Sequence, residues 1–221
     1  MKGIFYGVGT GPGDPELMTL KAVRLIKENN IIAVPCKEPS ASAAYRTAVQ
    51  AVPELSDKDL LPIVMPMTND KEILPHAHKK AAEDIEQYLS SGDNVVYITL
   101  GDPNLYSSYS YLRDIICHDG YIAETVSGIT SLSACASKLG ISLAQRNEPL
   151  HVYISFEDIT DPRGNIAVMK SGKTGNNIPK ILENKKIYAA ENCGMENERL
   201  YTDTVPEHMG YFTTFILKDD K

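Results

Sequence analysis

The sequence is short of positive charge. Its 22 lysines and arginines are outnumbered by 29 aspartates and glutamates, for a formal net charge of −7 over 221 residues. A nucleic-acid binder ordinarily shows a basic face, and no stretch of this chain supplies one, so nucleic acid is not expected as a partner. Long apolar runs are also missing. None approaches the length of a bilayer span, and the opening MKGIFYGVG runs straight into a strand without a signal-peptide pattern. A cytoplasmic protein without a membrane partner is the expectation. Cysteine is sparse: Cys36, Cys117, Cys135 and Cys193 are widely separated and form no CxxC pair. That speaks against both a zinc cluster and a disulfide framework and leaves reduced thiols. His76 and His78 lack the i, i+4 spacing of a helical metal pair, so no metal is expected. There is no G-x-S-x-G nucleophile elbow, no internal repeat and no low-complexity tract.

What remains is an ordinary globular composition, 43% hydrophobic and 23% charged, long enough for one large domain or two small ones. The stretch from Tyr97 to Ser108, YITLGDPNLYSS, organises the rest. Val95 to Leu100 is rich in β-branched and aromatic residues and reads as a buried strand. It stops at Gly101-Asp102-Pro103, where a missing Cβ and a missing N–H end the ladder, and a helix follows from about Ser107 to Cys117. Asp102 is left at the carboxyl end of the strand, the edge at which open α/β sheets bind ligands. Gly101 and Pro103 already fix this turn, so the carboxylate is not expected to be needed for the bend. Two other strand ends are built alike, GVGTGPGD from Gly7 to Asp14 and VSGITS from Val126 to Ser131. The three loops are expected to form one site.

Around that centre, strands are predicted at 3–8, 31–34, 60–65 and 122–126. Helices are predicted from Thr19 to Glu28, from Ser40 to Val52 with Ser40 or Ser42 as cap, and from Asn69 or Asp70 to about Ser91, with Pro75 delaying its start. Pro62 and Pro66 put the 60–65 strand at a sheet margin. The alternation predicts a parallel sheet with right-handed crossovers. After Gly128 a short helix, 129–138, leads through a linker at 145–149 into crowded strands at 150–156, 165–169, 186–190 and 211–217. Residues 178–183 and part of 196–201 read as helical. The expected fold class is α/β in two domains: residues 1–127 with a mostly parallel sheet, and residues 128–221 with a mixed one.

Two motifs fail on inspection. A dinucleotide fingerprint begun at Gly7 meets Pro12 where glycine is required, and begun at Gly9 it meets Asp14, a charge that would repel a pyrophosphate. SGKT, Ser171 to Thr174, ends like a phosphate-binding loop, but Ala167 stands at the required glycine and no helix is predicted after it.

The order GVGTGPGDPELMTLKAVRLI, ITLGDPNLYSSYSYL, VSGITSLSACASKLG, followed by ENCGMENERLY and GYFTTFIL, resembles the tetrapyrrole methyltransferase family over nearly the whole chain. The GTGPGDPELMTLKAVR opening, the TLGDPNLYSSY wording and Val34-Pro35 are most similar to its precorrin-2 or cobalt-factor II C(20)-methyltransferases. This resemblance implies two α/β domains with S-adenosyl-L-methionine in the trough between them, S-adenosyl-L-homocysteine as product, and a homodimer. It places cofactor contacts on Pro12, Gly101, Asp102, Leu105, Tyr106, Thr130, Ser131, Met169 and Cys193. It sets Gly9, Gly11, Gly13 and Asp14 against the tetrapyrrole. The short segment between Phe156 and Ile187 departs from this branch, as does the compact tail after Leu200. Asp102 and Tyr211 are the acid–base candidates for removing the meso proton after methylation; the plain alternative for Tyr211 is a core aromatic. Lys37, Arg46, Lys170 and Lys173 are candidate partners for the substrate's carboxylates. Competing readings are methylation of another macrocycle carbon or of a diphthamide precursor, a nucleotide switch resting on SGKT, and a non-catalytic cofactor-binding regulator.

Overall fold

The structure, a computed structural model, describes residues 1–66, 70, 72–170 and 178–219. SGKT and Lys173 lie outside the described residues, as does Asn69. The chain divides into two compact units, Met1–Ile129 and Thr130–Lys221.

The first unit alternates strand and helix: β1 (Ile4–Gly9), α1 (Leu20–Glu28), β2 (Ile31–Val34), α2 (Ala43–Ala51), β3 (Asp59–Pro62), α3 (Ile73–Ser91), β4 (Val95–Thr99), α4 (Tyr109–His118) and β5 (Ile122–Val126). All pairings are parallel, in the order β3-β2-β4-β1-β5, so the strand ahead of the Gly101 turn is the central one. Its side chains alternate between two cores. Val96 and Ile98 pack with Ile26, Ile32 and Ala48 on one face, and Val95 and Tyr97 with Phe5, Ile85 and Leu112 on the other. Each fully buried aliphatic chain of this kind stabilises the unit by about 1.5–3 kcal/mol. That two-sided burial requires the near-continuous apolar run seen in the sequence.

Caps fix the helix starts. Thr19 Oγ1 accepts from Ala22 N at 3.2 Å and Ser42 Oγ from Tyr45 N at 3.4 Å. Ser40 is not the cap, because it sits inside a short 3-10 turn, Pro39–Ala41. Pro75 falls in the first turn of α3, where its missing N–H leaves no hydrogen bond unmade, so it does not delay the helix. β3 ends at Pro62 and is an edge strand, as its prolines predict.

The second unit contains α5 (Ser131–Lys138), β6 (Leu150–Tyr153), β7 (Asn165–Met169), β8 (Lys185–Glu191), β9 (Arg199–Thr202) and β10 (Thr213–Asp219). The sheet order is β6-β7-β10-β8-β9, parallel only between β6 and β7. Its core includes Ile166, Val168 and Leu217 and is crossed by an edge-to-face contact of Phe156 and Phe215, centroids 5.1 Å apart. Three local readings change here. Arg199–Thr202 is a strand, because pairing with β8 outweighs the helical preference of its residues. Residues 178–183 hold only the 3-10 turn Lys180–Leu182, anchored by buried Leu182. The 145–149 segment is not a free linker: Glu148 Oε2 accepts from Gln145 N at 2.9 Å and from Asn165 Nδ2 at 3.0 Å, which docks it on β7.

Candidate active site

Three strand ends meet at the carboxyl edge of the first sheet. Pairing of β1 with β4 brings Gly9 level with Thr99, and pairing with β5 sets Val8 against Val126. The loops that leave these strands pack backbone to backbone. A Cβ on Gly9 would lie 2.5 Å from Gly101 O and 2.7 Å from Gly128 Cα, and one on Gly128 would run into Gly101 O. Both distances are far inside van der Waals contact, so the junction needs glycine at 9 and 128. It is laced by Gly101 N donating to Gly11 O at 2.6 Å and by Thr10 donating to Thr99 O through N at 2.8 Å and Oγ1 at 3.1 Å.

Gly101 is different. Its φ is +77°, and a Cβ there would have no atom within 4 Å. The position therefore asks for glycine on backbone grounds while leaving open space into which a ligand can come against the main chain. Four residues on, Leu105 is half-buried, and Tyr106 holds φ +51° and is 45% exposed. A side-chain-bearing residue rarely adopts that conformation.

Asp102 braces this junction. Its Oδ1 accepts from Asn104 N at 2.7 Å and its Oδ2 from Gly128 N at 2.9 Å. The carboxylate ties the loop after β4 to the loop after β5, where the sequence had suggested that Gly101 and Pro103 were enough to make the turn. The serines that follow are stitched back to the central strand. Ser107 Oγ lies 3.0 Å from Thr99 Oγ1, and Ser108 Oγ lies 2.6 Å from Tyr97 OH. Burial pushes the Tyr97 phenol up to about 12, so it stays protonated. In the first loop Pro12 is buried beside Gly11 and Gly13, and Asp14 caps the next turn by accepting from Glu16 N at 2.9 Å. Thr47 Oγ1 donates to Gly13 O at 3.4 Å, which holds this loop against α2. Gly9, Gly11, Gly13, Asp14, Pro12, Gly101 and Asp102 are thus one packed assembly. Among the described residues no group of three or more histidine, cysteine or acidic side chains is placed to hold a metal.

Residues 5–208 match the family described as Tetrapyrrole (Corrin/Porphyrin) Methylases. The chain belongs to the tetrapyrrole (corrin/porphyrin) methylases. It is 34% identical over 187 residues to a Methanocaldococcus jannaschii protein named as a probable cobalt-precorrin-2 C(20)-methyltransferase, covering 83% of this chain and 78% of that one. It is 31% identical over 192 residues to the precorrin-2 C(20)-methyltransferase of a Sinorhizobium species, covering 81% and 76%. Among solved structures, a cobalt precorrin-4 methyltransferase of cobalamin biosynthesis shares the fold at a TM-score of 0.72, with 16% identity over 98% of this chain and 94% of that one. A Thermus thermophilus uroporphyrin-III C-methyl transferase does so at 0.68, with 19% identity over 98% and 97%.

The remaining expected cofactor residues of this methylase lie in the second unit; two of them meet Thr214, and a third, Cys193, reaches it through Cys135. Thr214 stands opposite Met169 in the β10–β7 register, and its hydroxyl donates to Ser131 Oγ at 3.2 Å. Cys135 on α5 hydrogen-bonds Thr214 and also Cys193, the residue after the β8 turn begins. That bond to Cys193 and its own burial push the Cys135 thiol well above the ordinary thiol range. The turn carrying Cys193 is clipped by Glu198, whose Oε2 accepts from Gly194 N at 2.6 Å while Oε1 meets Lys138 Nζ of α5 at 3.4 Å. Thr130 is the α5 cap, accepting from Ser133 N at 3.3 Å. Tyr211 lies outside β10, two residues before it, half-buried and edge-on to Phe212 at 5.2 Å. Burial pushes its phenol up. Sequence reasoning missed Thr214 and Cys135. The first carries a signal, a hydroxyl within the buried run TTFIL; the second carries none.

Proposed function

We propose that this chain is an S-adenosyl-L-methionine-dependent methyltransferase that methylates the C(20) meso carbon of precorrin-2 or its cobalt-bearing counterpart in cobalamin biosynthesis, working as a cytoplasmic homodimer. The observation that carries the reading is the likeness, over about four-fifths of the chain, to two proteins of different organisms that both bear the C(20) name. The wide spacing of Cys36, Cys117, Cys135 and Cys193, without a CxxC pair, supports a reducing compartment. The homodimer rests on the family resemblance, and light scattering tests it.

The residues present fit the methyl donor. The open space over Gly101 accepts a ligand edge against the backbone. Met169 and Cys193, both buried, offer polarizable sulfur walls, and the hydroxyls of Thr130 and Ser131 offer polar ones. When bound, the cofactor supplies an electrophilic methyl group on a sulfonium, with no metal required. Pro12, Gly101, Asp102, Leu105, Tyr106, Thr130, Ser131, Met169 and Cys193 are the residues that would hold it. Gly9, Gly11, Gly13 and Asp14 border the tetrapyrrole. The chain's chief work is positioning, and well-oriented reactants gain about 7–11 kcal/mol in this way. Asp102 contributes by fixing the loops on either side of the glycine junction. Tyr211, whose phenol burial pushes up, is the second acid–base candidate for the meso proton.

Calorimetry with S-adenosylhomocysteine, ATP and NAD, followed by mass spectrometry of reactions with precorrin-2 and its cobalt form, tests the reading. We expect binding of the first alone and a product heavier by a single methylene. Tight ATP binding without any methylated product would overturn it.

A further inference from the structure

Four of the five loops at the carboxyl edge of the first sheet carry little positive charge. Those after β1, β2, β4 and β5 contain four acidic residues, Asp14, Glu16, Glu38 and Asp102, and a single cationic one, Lys37. Asp14 and Asp102 are occupied with backbone N–H groups. A tetrapyrrole bearing acetate and propionate groups needs hydrogen-bond donors or cations at such an edge, because a carboxylate that leaves water must be paired or hydrogen-bonded.

The arm that carries Lys37, residues 35–42, is fastened at several points. Cys36 N donates to Val34 O at 2.7 Å, and Ala41 N and Ser42 N close the 3-10 turn onto Glu38 O and Pro39 O at 2.9 Å each. Arg46, on the first turn of α2, donates Nη1 back to Ala41 O at 2.7 Å and to Ser40 O at 3.3 Å. Its neighbour Thr47 bonds Gly13 O in the glycine loop. The arm and the glycine loop are therefore one fixture. Arg46 is engaged within it, whereas Lys37 is exposed and makes no hydrogen bond or ion pair among the described residues.

We propose that residues 35–42 form a carboxylate-recognition arm in which Lys37 pairs with a side-chain carboxylate of the macrocycle and Arg46 acts as the positioning residue that holds the arm. The inference rests on the proposed tetrapyrrole substrate and deepens it, by separating two of the four candidate cations into a contact and a brace. A rigid arm gives the pair a lower entropic cost than a lysine on a free loop. The contact belongs to substrate binding and not to the methyl donor.

Steady-state kinetics with precorrin-2, alongside S-adenosylhomocysteine binding by calorimetry, provide the test. Lys37→Gln is expected to raise KM about tenfold with kcat changed less than about twofold, the pattern of lost uniform binding. Its KM should also lose part of its dependence on salt. Lys37→Arg should restore most of the affinity. Arg46→Ala should raise KM similarly, with the effect on KM larger than that on kcat or on S-adenosylhomocysteine Kd. Glu38→Gln, next to Lys37 and also exposed, should move KM less than about threefold if the lysine makes a specific pair. A KM for Lys37→Gln within twofold of wild type overturns the arm while leaving the methyltransferase intact. So does a Glu38→Gln effect equal and opposite to that of Lys37→Gln, which would mean a general field and no contact. A wild-type chain that does not turn over precorrin-2 at all refutes the substrate reading and the arm together.

Discussion

Asp102→Ala removes both acceptors that hold the junction between the loops after β4 and β5. Its carboxylate takes Asn104 N at 2.7 Å and Gly128 N at 2.9 Å. Hydrogen bonds to a charged group contribute roughly 1.5–3 kcal/mol each. Asp102 is only half-buried, so water replaces part of what is lost and the low end applies, about 3 kcal/mol for the pair. For a chain of this size that corresponds to a drop in Tm of roughly 6–12 °C. Asp102→Asn keeps a single acceptor and turns an amide N–H2 toward the other donor, so about half that loss is expected. Thermal unfolding followed by circular dichroism reads the stability, and calorimetry with S-adenosylhomocysteine reads the site. Both variants should bind more weakly than wild type, because the backbone around Gly101 is no longer held at its spacing. An Asp102→Ala protein melting within about 2 °C of wild type would show that Gly101 and Pro103 make the turn unaided and that the brace is decorative.

The glycines of the junction should separate by variant. Gly128→Ala drives a methyl into Gly101 O and should prevent soluble folding, whereas Gly101→Ala meets open space and should fold with a loss of about 1–2 kcal/mol from its positive φ, yet bind S-adenosylhomocysteine poorly. Equal behaviour of the two in expression, melting and binding would refute the distinction. A pH effect is expected at Glu86 on α3, whose Oε1 is buried without a hydrogen-bond partner among the described residues. Burial, with Asp119 beside it, raises the Glu86 carboxyl above its ordinary value, so stability is present at low pH and is lost as pH rises through the raised value. Glu86→Gln should therefore gain Tm over wild type at pH 8 but not at pH 4; an equal difference at both would contradict the titration.

Much of the architecture was legible because it depends on patterns local in sequence. The β-branched run at Val95–Thr99 with its Gly-Asp-Pro stop marks the central strand, and the prolines at 62 and 66 mark the edge. What was not legible depends on contacts distant in sequence. Arg199–Thr202 becomes a strand only because β8 offers a partner. The same limit applies at the site. That the three glycine-containing loops belong together could be read from their common position after strands. That Asp102 reaches Gly128, or that Thr214 reaches Ser131 from 83 residues away, could not. The cations were equally unreadable as a set, since only the fold shows Arg46 engaged with Ser40 and Ala41 and leaves Lys37 exposed.

The central claim is where the methyl group goes. Incubation of the purified chain with precorrin-2 and S-adenosyl-L-methionine carrying a carbon-13 methyl group, followed by carbon-13 nuclear magnetic resonance of the product, reads the position directly. The account predicts a single labelled methyl on the meso carbon between the first and last pyrrole rings. A label on any other macrocycle carbon would keep the chain among the methylases and contradict the C(20) assignment.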